Sequence, residues 1–107
     1  MGMDAYIFKA KTKKAFEEEN WYNKVEEVWY TRKYWDLIHN MSFIGGTDGC
    51  GEFIKLTKNN IEEMLQYSIH HPDYWGGFES VPTLCRILYE FDEAEEEGWH
   101  YYFEFDY

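Results

Sequence analysis

The chain has 107 residues, 45% of them hydrophobic and 21% aromatic, which is enough for one domain with one core and too little for two. Its formal charge of -11 is unevenly placed: residues 1–58 carry nine basic and nine acidic side chains, residues 59–107 one basic, Arg86, against twelve acidic. The second half is therefore repelled by any nucleic-acid backbone, and its electrostatic partner is expected to be basic.

The opening "DAYIFKA" alternates, with Ala5, Ile7 and Lys9 on one face and Tyr6, Phe8 and Ala10 on the other, and reads as a first strand. "KTKKAFEEENWYNK" has mixed charge and reads as a loop with a helical turn. In "VEEVWYTRKYWDLIHNMSF", Val28, Trp35 and Ile38 form one helical stripe and Tyr30, Tyr34, Leu37 and Met41 a neighbouring one, so the spacing predicts a helix. "GGTDGCG", Gly45 to Gly51, breaks it with four glycines in seven residues. "EFIKL" is a short second strand.

Thr57 is an N-cap for "KNNIEEMLQYSIHH", whose Ile61, Met64, Leu65, Ser68 and Ile69 repeat at helical spacing. Pro72 ends that helix. After the loop "DYWGGFES", Ser80 as N-cap and Pro82 in the first turn predict a third helix to about Glu97, its buried stripe Val81, Leu84, Cys85, Leu88 and Phe91. Gly98 is its left-handed stop. "WHYYFEFDY" alternates as a terminal strand. This order predicts a single α+β domain over residues 1–107, a small antiparallel sheet of about three strands packed on about three helices.

Several stretches are similar to small phage and prophage proteins of uncharacterised function. These are the start "MGMDAYIFKA", the "EEVWYTRKYWDLIHN" segment, "DGCGEFIKLTKNNIEEML" and the closing "EEEGWHYYFEFDY". The resemblance implies a phage-derived gene acting inside a bacterial cell; it carries no catalytic residues with it.

The closing "YEFDEAEEEGWHYYFEFDY" holds eight carboxylates, eight rings and no Lys or Arg. Glu90, Asp92, Glu93, Glu95, Glu96 and Glu97 crowd the end of the third helix, with Glu104 and Asp106 on the strand beyond. Anions at a helix C-terminus oppose the macrodipole by about 0.3–1 kcal/mol each at most, and like charges four residues apart cost a few tenths more. Helix stability does not select them there. Either they fill a groove built for phosphates, gripped by neighbouring Tyr and Trp, or they are a solvated face that keeps an aromatic-rich domain soluble.

The remaining candidates have weaker signatures. "GGTDGCG" lacks the Lys-Ser/Thr of a phosphate loop, and Asp48 and Glu52 lack calcium-loop spacing. Cys50, with His39, His70, His71 or His100 as base, is a conceivable nucleophile without a supporting signature, and the two cysteines leave room for one bridge at most. His70, His71 and Asp73 of "HHPD" are conceivable metal ligands, although adjacent helical residues point about 100° apart. Trp29, Arg32, Lys33 and Trp35 of "WYTRKYW" could stack single-stranded nucleic acid, or simply pack a core.

No apolar run of about 18 residues occurs, the start lacks the order of a signal peptide, and Tyr6 stands where a myristoylation motif needs Ser or Thr. The expectation is thus a cytoplasmic, phage-type acidic binding protein with no cofactor, metal or enzymatic activity. Its partner is the basic surface of a nucleic-acid-binding host protein, such as a CRISPR or other defence effector, which it inhibits as a phosphate mimic. The alternatives are an assembly module that forms a homodimer, or an enzyme using Cys50 and the histidines.

Overall fold

A computed structural model describes residues 2–44 and 51–106. Its strands are β1 (Asp4–Ala10), β2 (Glu26–Arg32), β3 (Ile54–Leu56) and β4 (His100–Asp106), and its helices α1 (Trp35–Asn40), α2 (Lys58–His70) and α3 (Gly77–Glu96). The strands form one antiparallel sheet in the order β2-β1-β4-β3. The α+β class is as expected, with four strands where about three were predicted.

The extra strand comes from the stretch read as the first helix. Glu26–Arg32 pairs with β1, Tyr30 opposite Tyr6 and Trp29 opposite Ile7, and only Trp35–Asn40 is helical. Val28, Trp29, Tyr30 and Thr31 are β-branched or aromatic and favour a pleated surface, whatever stripe they draw on a helical wheel. A bulge at Val28, between the pairs Ile7–Trp29 and Phe8–Glu27, shifts the register by one residue. Lys33, at φ 59°, then turns the chain toward α1, and its amide donates to the Met3 carbonyl at 2.7 Å.

One sheet face carries Ala5, Ile7, Trp29, Tyr101, Phe103 and Phe105 against Leu37, Ile38, Ile61, Met64, Leu84, Ile87 and Phe91 of the helices, and this is the main core. On the other face the 3-10 turns Lys13–Glu17 and Trp21–Asn23 fold Phe16 and Trp21 over Phe8 and Tyr102. Phe16 stacks on Phe53 at 4.1 Å between centroids. Those turns cover only one end of the face.

Thr57 caps α2 as predicted: its hydroxyl accepts from the Asn60 amide at 3.1 Å while the Asn60 side chain accepts from the Thr57 amide at 2.9 Å. Ile69, expected in the core, is exposed, and Ser68 is buried with its hydroxyl 2.9 Å from that of Tyr34. α3 starts earlier than predicted, at Gly77, so Pro82 lies inside the helix and Ser80 is no cap. The earlier start follows from close packing. A Cβ on Gly76 would strike Thr31, and one on Gly77 would strike the His71 carbonyl. Ser80 instead turns its hydroxyl back to the Gly76 carbonyl.

The buried stripe of α3 is Gly77, Ser80, Leu84, Ile87, Phe91 and Ala94. Cys85, placed in the core by its spacing, is exposed, because the helix is rotated toward Ile87 and Ala94. Gly98, at φ 90°, reverses the chain into β4.

Candidate functional site

The predicted site residues separate into two groups. Glu90, Asp92, Glu93, Glu95, Glu96 and Glu97 are all exposed around the C-terminal end of α3. Because Phe91 and Ala94 face the core, the carboxylates spread over the rest of the circumference. Glu90, Glu93 and Glu97 share a groove with Lys9 of β1 and Trp99. Asp92 and Glu95 flank the β3 side.

The fold returns some cations from the first half of the chain to this ridge. Lys58 Nζ lies 2.9 Å from Asp92 Oδ2, and Lys11 Nζ donates to the Glu97 carbonyl at 2.6 Å. The latter contact satisfies an orphan carbonyl at the helix end and places a positive charge where the macrodipole favours it. Lys9 and Lys11 also lie over the Trp99 ring, at 5.1 and 4.4 Å from its centroid. Among the described residues, Asp92 is the one acid of the ridge in an ion pair.

Glu104 and Asp106 do not join the ridge. They sit with Tyr102 on the face of β4 turned away from the helices, toward the strand end farthest from α3's C-terminus, about 14–20 Å along the strand from His100. There Asp106 lies opposite Asp4, and Glu104 opposite Tyr6. Tyr30 donates its hydroxyl proton to Asp4 Oδ1 at 2.7 Å, and Arg32 Nε lies 3.7 Å from the same oxygen. Burial first, then the neighbouring Asp106 and Asp4 carboxylates, push Glu104 up to about 7. This is a half-buried acidic cluster on the sheet, separate from the helix.

The weaker candidates do not converge. His70 ends α2 with Nδ1 2.7 Å from the Gln66 carbonyl, while His71 stacks on Tyr74 at 4.7 Å, so the two rings serve different neighbours. Among the described residues no group of three His, Cys, Asp or Glu is placed to hold a metal ion. Asp48 and Cys50 lie outside the described residues. Trp29 is buried on β2, Arg32 projects from the opposite face, and Lys33 lies over Trp75, so "WYTRKYW" makes no stacking platform. Among the described residues no helix is long and apolar enough to cross a membrane.

One feature escaped the sequence reading. Phe78 and Tyr89 are 74% and 90% exposed on α3, with Trp75 at 63% just before it. The signal was present as a Phe78, Pro82, Cys85, Tyr89 spacing, but starting the helix at Ser80 left Phe78 in a loop.

Comparison with protein-family models, with curated proteins and with solved structures finds no match for this chain.

Proposed function

We propose that this chain is a small acidic binding protein that seats the C-terminal end of α3 in the phosphate-binding groove of a basic, nucleic-acid-directed protein and so competes with nucleic acid, without chemistry of its own. The supporting observation is the placement of six exposed carboxylates on the last two turns or so of one helix, where they lower its stability. From Glu90 to Glu97 the ridge advances about 10 Å, close to three phosphate steps of one DNA strand at 3.4 Å each. Because the helix is braced by Phe91 and Ala94, the backbone that carries these charges is ordered before binding. The resemblance to phage and prophage proteins sets the reading in a bacterial cell, with a defence effector, CRISPR nucleases included, as the target class.

The test is capture from a bacterial lysate at low and high salt, followed by elution with duplex DNA. A basic nucleic-acid-handling protein, released by DNA and by salt and bound at least about tenfold more weakly by the Glu93/Glu96/Glu97→Gln variant, is the expected result. Capture indifferent to salt, DNA and the three substitutions would sink the proposal.

A further inference from the structure

α3 carries a second stripe that the core does not use. At about 100° per residue, Phe78, Pro82, Cys85, Tyr89, Asp92 and Glu96 fall within about 80° of arc. That arc faces away from Leu84, Ile87, Phe91 and Ala94, and all six residues are exposed. The outermost stripe of a surface helix ordinarily carries charge. Here its first three turns carry two rings, a proline and a thiol, and only the end is acidic: Glu96 is in no ion pair among the described residues, and Asp92, which meets Lys58 through Oδ2, keeps its side chain largely exposed. The whole stripe is about 27 Å long.

This polarity selects the occupant. A second copy laid parallel would set Asp92 and Glu96 against their own counterparts, like charge on like. Laid antiparallel, it would set Glu96 against Phe78, about 12 Å along the helix from Arg86, the one cation of α3, which would reach only Asp92. A helix that is apolar at one end and basic at the other matches both halves.

We infer that the outer stripe of α3 is a docking face for an amphipathic helical segment of a partner protein, apolar where it meets Phe78, Cys85 and Tyr89 and rich in Lys or Arg where it meets Asp92 and Glu96. The inference rests on the acidic-binder reading for the basic character of the partner and adds the apolar half of the contact. It makes recognition depend on segment direction as well as on charge, because a purely cationic surface leaves Phe78 and Tyr89 in water.

The experiment uses three synthetic helical peptides of about 18 residues, matched in length to the stripe. The first has leucines on one face of one half and lysines on the same face of the other; the second replaces the lysines with glutamates; the third replaces the leucines with serines. Calorimetric titration into the full chain is expected to show binding of the first, none of the second and at least about tenfold weaker binding of the third. The Phe78→Ser/Tyr89→Ser and Asp92→Asn/Glu96→Gln variants should each weaken the first peptide by a similar factor. Tyr89→Ser alone, at the most exposed position, guards against a folding defect in the double variant, and unfolding midpoints report on all three.

Failure of the first peptide to bind, or binding untouched by Phe78→Ser/Tyr89→Ser and by Tyr89→Ser, would overturn the inference. In the second case the salt- and DNA-sensitive capture described above would still stand. Self-association of the chain at micromolar concentration, abolished by the same ring substitutions, would assign the stripe to a second copy and overturn it too.

Discussion

Glu104 shows how one residue's chemistry depends on its place on the sheet. On an isolated chain it is an ordinary carboxylate; on β4 it lies opposite Tyr6 with Asp4 and Asp106 beside it, and is pushed up to about 7. Its folded pKa lies above the unfolded one, so the native state holds the extra proton between them, and stability falls as pH rises through that window. Glu104→Gln should therefore stabilise the protein at pH 8, by about 1–2 kcal/mol after discounting for a half-exposed group, and change little at pH 4. Denaturant melts at the two pH values measure this, and an equal effect at both would exclude the linkage. The sequence alone groups Glu104 with the helix carboxylates because both are acidic, and nothing in the spacing of "YYFEFDY" announces that the fold sends it to the opposite face. Cys85 failed similarly. Its spacing to Leu84 and Leu88 fits either side of the helix, and only the packing of Ile87 and Ala94 decides the rotation.

Among the elements, those whose signals were local were legible with nearly correct bounds. β1 follows from its alternation, α2 from Thr57 and the period of Ile61, Met64 and Leu65, and the α3–β4 junction from Gly98. β2 was not legible as a strand, because rings on both faces mimic a helical stripe and its pairing with Tyr6 and Ile7 is long-range. The start of α3 is likewise set by contact with another element: Gly76, at φ 87°, packs against Thr31 of β2 and Tyr34 ahead of α1. Gly76→Ala combines a left-handed backbone with that clash, and a loss of about 1–3 kcal/mol is expected in chemical denaturation. A neutral result would mean that the α2–α3 connection can shift without cost.

For the molecule as a whole, the charge that looks segregated in sequence is partly recombined in space, as Lys58 meets Asp92 and Lys11 reaches the Glu97 carbonyl. Most of the ridge still repels itself. Raising sodium chloride from about 0.01 to 1 M shortens the screening length from about 30 to 3 Å and should raise the melting temperature by about 2–5 °C. In the Glu93/Glu96/Glu97→Gln variant the rise should be much smaller. If salt stabilises both proteins equally, the ridge is not the source of the strain. The same crowding supports a surface kept for a partner, since a carboxylate-rich C-terminal turn is a poor way to build a helix.

By itself the sequence determined the α+β class, the excess of acid in the second half, and β1, α2 and the α3–β4 junction, whose alternation, cap or glycine lies within a few residues along the chain. Tertiary structure decided the rest: that residues 26–32 are a strand, that Glu104 and Asp106 face away from the helix acids, and that Phe78 and Tyr89 share an outward stripe with Asp92 and Glu96. Local signals depend on neighbours along the chain. Which face of a strand or helix is turned to water depends on partners tens of residues away.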